Sequence, residues 1–281
     1  MYLNGKIINE EDAYISPLDH GFLYGLGLFE TFRIYEGHPF LLDEHLKRIN
    51  VGLQELHIQF TCEKHHVLEI LDELLVANDL HNARIRLNIS AGVSELGIQT
   101  LKYTQPNIMV FMQPLQNSDL LQERKAVILK TPRNTPETQE RLKTHHYLNN
   151  FSAKWELAGS QEHEGIFLTK EGFLAEGIVS NLFWVKGSTI FTPSIDTGIL
   201  NGITRRFIIS TAEALGFSLQ EGFFTITDIS ESEEVFYTNS VQEIVAITEI
   251  ESVAKYKGKA GQAVKAIFNQ YKNSRKTLWS L

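Results

Sequence analysis

The sequence predicts an α+β fold in two halves, and three observations carry that expectation. Short apolar stretches broken by Gly-containing turns occur in both halves. Helical spacing of apolar residues appears in separate blocks, not after every strand. A polar stretch with little periodicity over residues 115–123 divides the chain. The expected domains are therefore residues 1–114 and 124–281, joined by 115–123, and not a doubly wound parallel sheet.

In the first half, MYLNG carries an Asn-Gly turn signal, and GLGLFETFRIYEGHPFLL alternates around a second turn at Glu36-Gly37, which together predict an antiparallel sheet. From Asp43 to Ile58 the residues Leu46, Ile49, Leu53 and Leu56 fall at helical spacing, with Asp43 as the expected N-cap. A second helix fits from about Glu63 to Asn78, and ARIRLNISAG and NIMVFMQPL follow as strands. The second half opens on the strand-like KAVILKTP, then a helix through HHYLNNFSAKWELAG that ends on Gly159. GIFLTKEGFLAEG, SNLFWVKGSTIFTP and EEVFYTNSVQEIVAITEI have strand composition, and a helix through RRFIISTAEALG separates them just after GIT. The sequence shows neither an internal repeat nor a low-complexity tract.

A hydrophobic content of 43% over 281 residues is enough to bury a core. The net charge of -8 argues against a nucleic-acid or anionic-membrane partner, both of which are met by clustered Lys and Arg. No apolar run approaches the roughly 20 residues that span a bilayer. Cys62, the single cysteine, has no intramolecular partner, and MYLNGKIINEEDAY lacks the pattern of a secretion signal, so a soluble cytoplasmic protein is expected. His65-His66 and His145-His146 are adjacent pairs, and adjacent residues face apart on a helix, so no metal site is expected.

Five separated features point to chemistry, each against a plain alternative. Lys143, in RLKTHHYLNN, stands where a strand-like segment gives way to a helix. A lone lysine is ordinarily a solvated surface residue, but a desolvated one forms a Schiff base with a carbonyl cofactor. Glu176, in LAEGIVSNLFW, is a hairpin carboxylate followed by an apolar run, and a carboxylate taken into a core needs a partner such as a pyridinium nitrogen. LNGITRRFIIS places a Gly turn before a helix whose first N–H groups suit a phosphate, although such turns are common. Arg48 shares a helix face with His45; alone it reads as an exposed helix cation. The turn Thr238 to Ser240 offers a hydroxyl and an amide to an anion, yet most such turns only reverse the chain.

Taken together and in order, the motifs SPLDHGFLYGLGLFETFRIYEG, LLDEHLKRI, RLKTHHYLNN, AEGIVSNLFW, TGILNGITRRFII and TNSVQEI resemble the fold-type IV pyridoxal-phosphate enzymes, over nearly the whole chain. That family comprises branched-chain aminotransferases, D-amino-acid aminotransferases and aminodeoxychorismate lyases, and the chain looks most like the last. The resemblance implies a D-amino-acid aminotransferase-like fold with a smaller N-terminal and a larger C-terminal domain, pyridoxal phosphate between them, and a homodimer. It assigns Lys143 to the Schiff base, Glu176 to the pyridine nitrogen, and Arg48, Ile203, Thr204, Asn239 and Ser240 to the phosphate. Leu200 would lie against the cofactor ring and Tyr147 near its phenolic oxygen.

Two departures bear on the branch. D-amino-acid aminotransferases carry Tyr where this chain has Phe29, and an Arg-x-His trap where it reads RIRLNIS. Without those polar groups an α-carboxylate loses its partners, which weakens that branch. Arg84 and Arg86 lie on one face of a strand and are candidates for an anionic substrate, or are plain surface charges. The expected activity is conversion of 4-amino-4-deoxychorismate to 4-aminobenzoate and pyruvate in folate biosynthesis. The alternatives are a branched-chain or D-amino-acid aminotransferase, or a non-catalytic cofactor-binding protein.

Overall fold

A computed structural model describes residues 1–98, 100–115, 119–158, 160 and 162–281. The chain forms two units, one of Met1–Asn117, Leu142–His146 and Arg275–Ser280, the other of Ser118–Arg141, Tyr147–Ser274 and Leu281. Residues 116–118 of the expected connection, and the expected helix end at Gly159, lie outside the described residues.

The first unit is built on a six-stranded sheet among the described residues, with strands β1 (Tyr2–Leu3), β2 (Lys6–Ile7), β3 (Gly27–Tyr35), β4 (His38–Pro39), β5 (Ala83–Ser90) and β6 (Asn107–Pro114) in the order β2-β1-β6-β5-β3-β4. Both turns expected from sequence close two-residue hairpins, Tyr2 opposite Ile7 and Tyr35 opposite His38. Asn4 and Gly5 have φ of 47° and 92°, Glu36 and Gly37 of 51° and 86°. Two successive left-handed residues match the strand twist, which is why Gly stands second in each.

Helices α1 (His20–Tyr24), α2 (Leu42–Glu55) and α3 (Lys64–Asn78) complete this unit. Leu46, Ile49 and Leu53 of α2 are buried as their spacing predicts. Asp43 is not the N-cap: α2 starts one residue earlier, after Leu41 in the left-handed region. The amides of Leu41 and Asp43 donate instead to the carbonyls of Leu278 and Trp279, at 3.0 and 3.1 Å. A distant backbone segment thus satisfies donors that a local side chain was expected to take. The Lys143 segment joins this unit because it runs along β3: Phe29 N donates to Lys143 O at 3.0 Å and His145 N to Gly27 O at 3.1 Å.

The second unit holds β7 (Gln122–Ile128), α4 (Leu148–Glu156), β8 (His163–Leu168), β9 (Leu174–Gly177), β10 (Asn181–Lys186), β11 (Thr189–Pro193), α5 (Ile203–Ala212), β12 (Ser218–Gly222), α6 (Ile226–Ser230), β13 (Glu234–Asn239), β14 (Glu243–Ile250), β15 (Ala254–Lys255) and α7 (Gln262–Ser274). Strand β9 pairs with β8 on one side and β10 on the other, so β10-β13-β14-β7-β8-β9 closes into a ring. The α+β expectation holds. Helix α4 is shorter than predicted because residues 143–145 are extended against β3. Among the described residues no helix is long and apolar enough to cross a membrane.

Trp279 packs its ring edge against His38, 4.5 Å between centroids, and lies under the Lys64 ammonium at 4.4 Å. Because this segment also caps α2, Trp279→Ala is expected to destabilise the first unit by about 2 kcal/mol, less than a fully buried aromatic, in urea unfolding.

Candidate functional site

The first unit gathers three of the expected residues around one ring. Phe29, on β3, is 3% exposed. The Arg86 guanidinium lies 3.6 Å from its centroid, the Lys143 Nζ 4.7 Å, and His145 stacks on it at 6.4 Å. Antiparallel register explains the arrangement: β3 pairs with β5, Thr31 opposite Arg86 and Phe29 opposite Asn88, and Arg86 Nη2 donates to Asn88 Oδ1 at 3.3 Å. Arg84, two residues away, is exposed. No hydrogen bond or ion pair holds the half-buried Lys143 amine among the described residues. Burial, then the Arg86 charge, pushes His145 down to about 4, so its ring is neutral at pH 7.

Arg48 is not an exposed cation. Its Nε and Nη2 donate to the two oxygens of Glu30, each at 2.7 Å, and His45 Nδ1 donates to Glu30 Oε2 at 2.6 Å. Burial lowers His45, so this contact is a hydrogen bond from a neutral ring more than an ion pair. Burial alone would raise Glu30, but Arg48 and then His45 outweigh it and hold its carboxyl at about 2.

In the second unit Glu176 stands on β9 opposite Asn181 of β10 and is 4% exposed. Its Oε1 accepts from Arg133 Nε at 2.8 Å; its Oε2 accepts from Leu200 N at 3.1 Å and Asn181 Nδ2 at 3.3 Å. An ionised carboxylate has about four acceptor directions, so three donors leave one for a further partner. Asn181 Nδ2 also donates to Leu200 O at 2.8 Å, and a Cβ at Gly202 would strike Asn181 Oδ1. Only glycine permits that approach.

Helix α5 begins on this Gly202 without a side-chain cap, which leaves the first-turn amides after Ile203 to other acceptors. Thr204 Oγ1 and Ser240 Oγ are 3.5 Å apart, so the helix start and the TNS turn do meet. Asn239 behaves differently: its Oδ1 accepts from Val241 N at 2.9 Å and Gln242 N at 2.7 Å, shaping the turn. Arg205 pairs with Glu221 and donates to Pro193 O at 3.1 Å, a structural role. Tyr147 is half-buried at the N-cap of α4.

Sequence reading missed Glu30, Arg133, His145 and Asn181. Glu30 carried a usable signal, a charge inside the otherwise apolar GLFETF strand. Arg133 carried none, since TPRNTP reads as an ordinary polar loop. Among the described residues no group of three or more His, Cys, Asp or Glu could hold a metal ion.

A family model described as amino-transferase class IV matches residues 27–250, which span both sets of residues above. The chain belongs to the class IV aminotransferase family. It is 48% identical over 280 residues to the aminodeoxychorismate lyase of Bacillus subtilis (strain 168), covering 99% of this chain and 95% of that one. It is 33% identical over 284 residues to a putative branched-chain-amino-acid aminotransferase of Methanocaldococcus jannaschii, with 100% and 98% coverage. Among solved structures it matches the branched-chain amino acid aminotransferase from Escherichia coli, with a TM-score of 0.87, 25% identity and coverage of 99% and 94%. The class IV family and its two-domain fold are as expected from the ordered motifs.

The Glu30 shift sets an acid-stability test for this class IV chain. A carboxyl lowered from 4.5 to about 2 contributes stability that is full above about pH 4.5 and lost as pH falls toward 2. That contribution is on the order of 3 kcal/mol for a fully buried group. Glu30→Gln is expected to flatten the acid limb of stability against pH, measured by denaturant unfolding from pH 6 downwards; an unchanged slope would remove Glu30 as the acid-sensitive group.

Proposed function

We propose that the protein is a pyridoxal-phosphate-dependent aminodeoxychorismate lyase, forming 4-aminobenzoate and pyruvate for folate biosynthesis as a cytoplasmic homodimer. The observation that carries the activity is its near-half identity, end to end, to the Bacillus subtilis lyase. Phe29 supports it, since a buried apolar ring stands where the D-amino-acid branch has a hydroxyl.

The residues fit the cofactor. Lys143 has an amine that no carboxylate occupies among the described residues, and would bond the coenzyme covalently. Glu176 has an acceptor direction left for the ring nitrogen. Arg48, oriented by Glu30, and the Ile203, Thr204 and Ser240 region supply phosphate donors. The Asn239 contribution is shaping the turn that presents Ser240, with Leu200 and Tyr147 completing the ring and oxygen contacts.

When bound, the coenzyme withdraws electrons from the substrate carbon that bears the nitrogen. Glu176 would keep a proton at the ring nitrogen, and the Lys143 amine would take the proton from that carbon. Cleavage of the ring carbon–oxygen bond would then expel enolpyruvate, which takes up a proton to become pyruvate, and leave an aromatic ring. Arg86, held over Phe29 beside Lys143, meets a substrate carboxylate, with Arg84 further out.

An aminotransferase is the second reading, favoured by the archaeal relative, and it uses the same coenzyme residues. The two separate on one assay: pyruvate release from 4-amino-4-deoxychorismate with no keto acid present. Strict dependence on a keto-acid acceptor would replace the lyase with the aminotransferase. Borohydride reduction is expected to leave a phosphopyridoxyl group on Lys143 by peptide mapping; an adduct on another lysine sinks the assignment. Arg48→Ala should weaken coenzyme binding by about tenfold to a hundredfold in equilibrium dialysis, as a charge-assisted contact is worth roughly 1.5 to 3 kcal/mol.

A further inference from the structure

Arg133 is 8% exposed, and its guanidinium is held through Nε and Nη1. Nε donates to Glu176 Oε1 at 2.8 Å, and Nη1 donates to Asn149 Oδ1 at 2.7 Å and Asn134 Oδ1 at 3.2 Å. Asn149 in turn donates to Pro132 O at 3.0 Å, so the fork is braced by the loop that carries it. The guanidinium also lies 5.2 Å from the centre of the fully buried Phe167 ring. A second cation, Arg141, donates Nε to Gly198 O and Nη1 to Asn134 Oδ1, and adds positive charge near Arg133 and Glu176.

A carboxylate this deeply buried takes up a proton unless a cation or several donors stabilise its charge. The proton shared between a carboxylate and a pyridine nitrogen therefore goes to whichever is the stronger base in place. We propose that Arg133 is the positioning residue of Glu176: by holding Oε1 it keeps the carboxylate ionised and aimed, so that the proton stays on the coenzyme's ring nitrogen. Arg133 touches neither reacting atom; it acts through Glu176. The inference rests on the reading in which Glu176 partners that nitrogen, and it does not depend on which substrate is used. Lysine cannot replace the fork fully, because one ammonium lacks the planar set of donors that Glu176, Asn134 and Asn149 share.

The test compares Arg133→Met, Arg133→Lys and Glu176→Gln, each loaded with ring-nitrogen-labelled coenzyme, by the nitrogen NMR shift that reports protonation. Wild type is expected to show the protonated shift, Arg133→Met the neutral one, and Arg133→Lys a recovery toward wild type. Turnover should follow, with kcat of Arg133→Met down about 10- to 100-fold, the range for partners that stand behind a ligating side chain, and KM little changed. Should Arg133→Met fail to fold, Arg133→Gln, polar but uncharged, carries the same expectation. A protonated shift retained in the uncharged variant while Glu176→Gln loses it overturns the role of Arg133 alone. A protonated shift retained in Glu176→Gln overturns the underlying reading of Glu176, and the inference with it.

Discussion

A buried negative charge has to be paired, and much of the second unit is arranged around the one on Glu176. Its partners come from three separate pieces of chain: Arg133 from the loop after β7, Asn181 from β10, and the Leu200 amide ahead of α5. The β9–β10 pairing that closes the strand ring places Glu176 opposite Asn181. The same asparagine requires the glycine that starts α5. One carboxylate thereby links the strand ring to the helix start. Removing one member of such a set typically costs about 3 to 5 kcal/mol, since an uncompensated charge is left inside.

The first unit applies the same rule with different parts. Glu30 points in from the long strand β3, and α2 answers with Arg48 and His45, three residues apart on one face. Two bonds to one carboxylate fix the plane of the Arg48 guanidinium, which a single contact would leave free to rotate. The proposed phosphate contact needs that fixed plane. The strand β3 therefore does two jobs: Glu30 aims Arg48, and its neighbour Phe29 gives the Lys143 amine and Arg86 a shared ring.

The features legible in the sequence were those set by near neighbours. The hairpins at Asn4-Gly5 and Glu36-Gly37, the buried stripe of α2 and the strands around Glu176 follow from local spacing and turn chemistry. What was not legible depends on distant chain. The α2 cap comes from Leu278 and Trp279, more than two hundred residues away, so Asp43 looked like the only available cap. Arg133 precedes Glu176 by 43 residues in a loop with no periodicity, and no local signal ties the two. Asn239 shows a related ambiguity: a turn asparagine can face an anion or its own backbone, and its Oδ1 accepts from the Val241 and Gln242 amides.

The division between coenzyme-holding and substrate-facing residues explains why family and branch are read from different places. A lyase and an aminotransferase need the same amine, the same ring-nitrogen partner and the same phosphate donors, because both begin by removing a proton from the carbon that bears the nitrogen. They differ in what happens next to that carbon. An aminotransferase must hold a keto acid by its carboxylate and return a proton, whereas a lyase needs only that the leaving group depart faster than reprotonation. The polar devices that would clamp an amino acid's α-carboxylate are replaced here by the Phe29 ring, with Arg86 resting on its face. A guanidinium over an aromatic face is held there by the ring quadrupole and keeps its full charge. Under the proposed lyase reading, this buried ring with one cation against it, 4.7 Å from the Lys143 amine, is where a cyclic carboxylate and a short amino acid would be told apart.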